Sequence, residues 1–337
     1  MTPAELSRAV MTAVRRAVAA DELPPVDVPE RVVVQRPPRP GCGDYATNVA
    51  LQLAGPAGRT PHEVAEVIAR RLRKEPGIAQ VEVADPGFLN ITLDAQAYGD
   101  VVRQVRTQGA RYGHGDGLSD EAVTVRAAPD DPRGRVVAEV VNRLARATGA
   151  PPADPPEPLL LAPAHPGEPP TDLGPDEIRW ALLRPPAEDT PRLDPALLTQ
   201  HETNPLFRVR YAHARAQAVL RNAHDLGVDV DAPAPYGQGD GEGAYHHPAE
   251  TELLGLIADF PRVVETAARR RAPDRVARHL ERLADAYFRF HDECPALPKG
   301  DEKPSALHAA RARLTDATGI VLATGLHLLG ITAPDHL

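Results

Sequence analysis

From Asn204 to Asn222 the chain has almost no choice but to be helical. Asn204 is a good N-cap, Pro205 suits the first helical position, and nothing after them breaks a helix for several turns. The same punctuation recurs around it. Pro175, Pro248, Pro273 and Pro304 each stand where a helix can begin. Apolar residues then follow at helical spacing: Leu253, Ile257, Phe260 and Val264; Val276, Leu280, Leu283 and Tyr287; Leu314, Ile320 and Leu322. Amphipathic helices in succession must bury their apolar faces on one another. The spacing therefore predicts an antiparallel helical bundle from about Gly174 to Gly330.

The N-terminal half reads differently. Helix signals at Thr2–Ala20 and at Thr60–Leu72, the latter with a capping box from Thr60 to Glu63, alternate with strand signals at Arg31–Gln35 and Pro86–Leu93. Asp44 is placed to cap a helix over Tyr45–Leu51, and a further helix is expected from Gln96 to about Gln108. Val123–Val125 reads as a strand and Arg135–Thr148 as a helix closed by Gly149. The interval Ala150–Pro170 is dense in proline, lacks periodicity and reads as a flexible linker; Gly237–Gly243 reads as a second flexible insertion.

Two stretches carry candidate chemistry. On the central helix, Phe207, Tyr211, Ala214 and Ala218 form one stripe, with Arg208, Arg215 and Asn222 a heptad apart beside it. Such a face can stack a base and pair a phosphate, or it can be a core helix with a solvated basic side. In the strand Phe88–Leu93, Leu89, Ile91 and Leu93 share the face that must be buried. Phe88 and Asn90 then lie on the opposite face. They suit an unpaired RNA base, stacked by the ring and read by the amide, unless a helix covers them. A third cluster, Arg262, Arg269, Arg270, Arg271, Arg275, Arg278 and Arg282, crowds two adjacent helices and the turn between them. It is either a solvated face or a patch for phosphates.

Composition narrows the classes. A net charge of -9 argues against indiscriminate nucleic-acid binding but permits a local basic surface. No apolar run is long enough for a bilayer, and the N-terminus has no signal-peptide core, so a cytoplasmic protein with no membrane partner is expected. Cys42 and Cys294 are single and distant, and His246–His247 has no companion ligands; no disulfide framework, metal site or cofactor is expected.

Several of these stretches share a resemblance. Asn204–Pro205 through Tyr211–Arg215 resembles the N-P-x-x-Y-V-Q-Y-A-H-A-R signature of arginyl-tRNA synthetases, which opens their anticodon-binding domain. Gly174–Leu182 is similar to the D-A-L-R motif that names that domain, and Tyr287–Cys294 to the F-x-x-F-Y-x-x-C helix. Arg311–Leu314 and Val321–Gly330 resemble its closing helices. Upstream, Gly43–Leu51 resembles G-D-F-A-S-N-x-A-x, and Pro86–Asn90 resembles P-G-F-I-N of the additional N-terminal domain. The resemblance implies tRNA as partner, tRNA-Arg being the family's own. It implies contact of Phe88 and Asn90 with a D-loop base, and of Arg208, Tyr211, Arg215 and His291 with the anticodon side. Arg208 and Arg210 replace Tyr and Gln of the signature, His291 stands at an aromatic position, and Leu337 replaces a terminal methionine. These departures touch anticodon specificity.

Family members carry a Rossmann catalytic domain between the two parts. Here Val123–Thr148 resembles only its first strand, turn and helix, with Pro132–Gly134 matching P-T-G. No H-x-G-H occurs in the chain, the only lysines are Lys74, Lys299 and Lys303, and the interval from Gly149 to Gly174 is too short for βαβ units of roughly thirty residues. The expectation is an α+β chain without a complete Rossmann domain. A small α/β N-terminal domain spans residues 1–120, a vestigial catalytic segment and proline-rich linker spans 121–173, and an all-α helical bundle spans 174–337. The function expected is tRNA binding without aminoacylation and with no catalytic residues. The alternatives are an arginine–tRNA ligase whose active site a protein partner supplies, and a protein-interaction module that has lost RNA binding.

Overall fold

The computed structural model describes residues 1–29, 32–37, 42–162, 173–231 and 245–337. They form two compact units, one built on Met1–Val101 and the other on Val102–Gly237 with His247–Leu337.

In the first unit, α1 (Pro3–Ala19) starts from a reciprocal cap. The Thr2 hydroxyl accepts from the Glu5 amide, and the Glu5 carboxylate accepts from the Thr2 amide at 2.7 Å. Leu6, Val10, Val14 and Ala17 face inward as their spacing predicts. Then come β1 (Val34–Gln35), β2 (Tyr45–Thr47), α2 (Val49–Ala57), α3 (Pro61–Leu72), β3 (Ile78–Ala84), β4 (Phe88–Leu93) and α4 (Ala95–Gln108), whose residues from Val102 onward belong to the second unit. The strands form one antiparallel sheet in the order β1-β2-β4-β3. Leu89, Ile91 and Leu93 are buried, on the face against which α3 packs. The expected capping box at Thr60 and Glu63 is present.

The helix expected over Tyr45–Leu51 is corrected at its first half. The Asp44 amide donates to the Ile91 carbonyl at 2.8 Å, and its carboxylate accepts from the Leu93 amide at 2.8 Å. These bonds draw Tyr45–Thr47 alongside β4, and the helix begins only at Val49. Gly43 makes the close approach possible. It sits at φ +79°, and a Cβ there would lie 2.9 Å from the Ile91 carbonyl oxygen.

The second unit is mostly helical: β5 (Val125–Arg126), α5 (Pro132–Ala147), β6 (Glu157–Pro158), α6 (Pro175–Leu183), α7 (Pro205–Asp225), α8 (Pro248–Arg269), α9 (Asp274–Glu293) and α10 (Ala306–Leu329). Asn204 caps α7 through its side-chain oxygen, which accepts from the amides of Leu206 and Phe207. Pro261 lies inside α8 and cannot donate to the Ile257 carbonyl one turn back. The buried Tyr112 hydroxyl donates to that carbonyl instead, at 3.0 Å, while its ring stacks on Phe260 at 6.2 Å. Gly113 leaves room for this arrangement, since a Cβ there would stand 2.6 Å from the Phe260 ring. The core collects Trp180, Phe260, Tyr287 and Phe290 with the aliphatic faces of the helices.

The reading of Ala150–Pro170 as a flexible linker is corrected for its described part. Residues 150–162 are tied down: Val123 N–H donates to Pro151 O at 3.0 Å, Glu157 N–H to Thr124 O at 2.8 Å, and Leu159 N–H to Arg126 O at 3.0 Å. The result is a parallel β5–β6 pair. Periodicity is blind to such a segment because its bonds reach across to residues some thirty positions away. Residues 163–170 of that interval, and the insertion at 237–243, lie outside the described residues.

Candidate nucleic-acid interface

The signature helix α7 sorts its own motif by the helical period. Ala212, His213 and Ala214 turn into the bundle, and His213 Nδ1 lies 3.1 Å from the Gly319 carbonyl. Tyr211 and Arg215, four apart, turn out. Tyr211 is 41% exposed although its ring is largely apolar. It does not stand alone. Phe207 stacks on one side of it at 5.6 Å with the planes 6° apart, and Phe288 of α9 on the other at 5.6 Å and 27°. The three rings thus form a ladder that opens to solvent at Tyr211, with Phe207 and Phe288 half-buried.

Charged groups flank the ladder. Arg208 pairs with Asp285. Arg215 reaches His291, with its Nε 3.3 Å from the imidazole Nε2. Burial, reinforced by the Arg215 charge, holds His291 below the ordinary histidine range. The neutral ring can then accept from the guanidinium, which a protonated ring could not. The contacts 208 with 285, 211 with 288 and 215 with 291 advance together, so α7 and α9 run parallel here. The bundle is therefore not antiparallel throughout: α8 lies between them in sequence and returns the chain. Of the residues expected on the anticodon side, Arg208, Tyr211, Arg215 and His291 are all brought to this one face.

Phe88 and Asn90 belong to the first unit. Phe88 is 37% exposed on the sheet face opposite Leu89 and Ile91, and Asn90 is half-buried beside it in the pairing frame, between Ala46 of β2 and Glu82 of β3. The alternative of a helix covering Phe88 is not what this unit adopts. Among the described residues no group of three histidine, cysteine, aspartate or glutamate side chains is placed to hold a metal. No described helix is long and apolar enough to cross a membrane.

Two features escaped the sequence reading. Phe288 completes the ladder; its motif was visible, but which of Tyr287 and Phe288 faces outward depends on how α9 is rotated against α7. Arg133 is the second. It stands in the first turn of α5, at 1% exposure, and its guanidinium donates to six backbone carbonyls. The shortest bonds go to Ala162 at 2.7 Å, Asp189 at 2.8 Å and Pro186 at 2.8 Å. Arg210, another departure from the signature, points away from the ladder and pairs with Glu177 at 3.0 Å and with Asp176 at the start of α6.

A helical bundle with a ladder of aromatic and arginine side chains across α7 and α9, on a chain that also carries a small α/β unit, fits a synthetase-type RNA-binding class. The sequence comparisons place it there. Residues 209–337 match the family described as DALR anticodon binding domain, and residues 4–93 match the arginyl tRNA synthetase N terminal domain. The chain belongs to the arginyl-tRNA synthetase family. The arginine–tRNA ligase of Frankia alni is 29% identical over an alignment of 558 positions covering 100% of both chains. Against the 337 residues here, at least 221 of those positions face no residue of this chain. The arginine–tRNA ligase of Clavibacter sepedonicus is 45% identical over 166 residues, 49% of this chain and 29% of that one. In fold, the chain superposes on Thermus thermophilus arginyl-tRNA synthetase with a TM-score of 0.62 at 15% identity, covering 100% of each.

Proposed function

We propose that this chain binds tRNA and does not charge it by itself. The observation that carries the binding half is the open ladder of Phe207, Tyr211 and Phe288. An exposed tyrosine ring stacked between two half-buried phenylalanines, with Arg208 and Arg215 beside it, wastes burial unless something planar and anionic covers it. An RNA base with its phosphate meets that description. Phe88 and Asn90 form a second stacking-and-reading pair on the small unit. The proposed organisation follows the two RNA-facing domains, residues 1–120 and 174–337, with tRNA-Arg the first tRNA to test.

The silence half rests on what lies between them. The sequence has no H-x-G-H and no lysine-rich loop, and the long alignment with the Frankia alni ligase leaves more than 200 positions unmatched inside the chain. Where the resemblance ends, Arg133 draws residues 162 and 182–189 together around the start of α5. With its donors committed to these carbonyls, Arg133 has none left to offer a triphosphate at the start of α5.

Two assays on the purified chain test the reading. A gel shift across individual tRNAs should show a saturable complex, and arginine-dependent ATP–pyrophosphate exchange should stay at the level of a mock preparation. Exchange above that level by the chain alone would refute the silence. Exchange appearing only when a second protein is added would mark a ligase with a divided active site. A chain that shifts no tRNA would leave protein interaction as the remaining role.

A further inference from the structure

Away from the ladder, the corner where α8 turns into α9 opens a basin of about 920 Å³ lined by seven arginines and three carboxylates. The arginines are not held alike. Arg184 pairs with Glu281 at 2.7 Å and Arg271 with Glu157 at 2.6 Å, while Arg278 reaches Asp274 only at 3.8 Å. Arg270, Arg275 and Arg282 are exposed, and among the described residues none of the three meets a carboxylate within ion-pair distance. A chain with 47 acidic residues does not lack carboxylates to place there. Like charges gathered in a concavity repel one another, and low-dielectric walls focus their field outward. The arrangement is stable in water and becomes favourable when an anion enters. Guanidinium forks fit phosphate oxygens in particular.

The shape says what kind of phosphate. Arg275, Arg278 and Arg282 lie along the solvent side of α9, and the same helix continues to Asp285 with Arg208, to Phe288 and to His291 with Arg215. From Arg275 to His291 the helix rises about 24 Å. A smaller hollow of about 400 Å³ shares Arg184, Pro186 and Arg278 with the basin and reaches Asn204 and Pro205, where α7 begins. The two hollows therefore adjoin, and the smaller one reaches the foot of the aromatic ladder. A single phosphate would fill only one end of such a track.

We propose that the α8–α9 basin binds the phosphodiester backbone of the same RNA whose bases stack on Tyr211. Bases are held at one end of α9 and phosphates at the other. The inference rests on the proposed RNA-binding reading of the ladder, and the test separates the two. The intact chain and three variants are titrated with tRNA over a salt series, with a melting curve for each. Changing Arg270, Arg275 and Arg282 together to Gln should weaken binding about tenfold to a hundredfold at low salt and make the slope of log affinity against log salt shallower by about two units. All three side chains are exposed, so the variant should melt with the parent. Tyr211→Ala should weaken binding at every salt concentration and leave the slope alone. Changing Arg8, Arg15 and Arg70 to Gln, exposed arginines on α1 and α3, removes equal charge and should leave the slope unchanged. A parental slope in the basin variant, or an equal loss in the α1 and α3 variant, overturns the basin while Tyr211→Ala still tests the ladder. A parent that binds no tRNA overturns both.

Discussion

Arg133 and the arginines of the α8–α9 basin carry the same guanidinium group to opposite ends. Arg133 is sealed in the second unit with six carbonyls around it, whereas Arg270, Arg275 and Arg282 lie open without a carboxylate beside them. Burial pulls the Arg133 pKa below its ordinary value, and the nearby Asp131 and Asp189 push it back, so the charge is kept and spent inside the fold. The difference shows how a structural arginine is told from a binding one. Its donors are already satisfied within the chain; the other's wait for a ligand. Arginine density along the sequence does not distinguish the two, because Arg133 lies far from the dense α8–α9 cluster and yet donates to six carbonyls.

Arg133→Met strips six carbonyls of their donor and should destabilise the second unit by about 3–5 kcal/mol, lowering its melting midpoint by roughly ten degrees. Arg133→Lys should recover only part of this, since an ammonium has three donors and no planar fork. A melting curve that matches the parent would show that water replaces the guanidinium at little cost, and the contrast would fail.

The next largest effect lies on the buried side of α9. His279 is fully buried, and both of its ring nitrogens are shielded from water. Burial, with Arg282 and Arg262 adding to it and Asp259 and the Leu256 backbone opposing it, pushes its pKa down to about 4. The unfolded ring takes its proton near 6.5, so between these values the unfolded state binds more protons than the folded one. Stability should be complete above about pH 6.5 and should fall by up to about 3 kcal/mol as the pH drops to about 4. Denaturant midpoints measured across that range check this. His279→Leu should flatten the dependence; an unchanged slope in that variant would assign it to carboxylates elsewhere.

Smaller effects concern binding. Tyr211→Ala and Phe88→Ala each remove a stacking ring worth about 1–3 kcal/mol, so each should cost tenfold to a hundredfold in tRNA affinity. Both rings are exposed enough that melting should change little. A Phe88→Ala variant that both melts and binds like the parent would remove the small unit from the interface. Because the two positions lie in different units, their penalties should add within about half a kcal/mol.

The smallest effect is on stability at the ladder's edge. The Arg208–Asp285 pair is exposed, so Asp285→Ala should change the unfolding free energy by less than about 1 kcal/mol. The same change frees Arg208 and removes a negative charge from the track, so tRNA affinity should rise. Unchanged affinity would place Arg208 outside the RNA footprint.

Much of this was open to a reader of the sequence. Asn204 caps α7, Thr2 and Thr60 close their capping boxes, and the alternation in β4 assigns Phe88 to the open face, because each of these signals acts over a few neighbouring residues. The outward pairing of Tyr211 with Arg215 follows from a helical period alone. Packing decided the rest. Tyr45–Thr47 became a strand because Asp44 and Gly43 could meet Ile91 across the sheet, against the local helical signal. Residues 150–162 lost the freedom their prolines suggested by pairing with β5 and enclosing Arg133. Phe288, and not Tyr287, joined the ladder through the rotation of α9 against α7. Sequence determines what a residue can do within its own turn or strand. Whether a guanidinium is consumed by carbonyls fifty residues away or left facing solvent is set by which surfaces are desolvated together, and that exists only once the chain has folded.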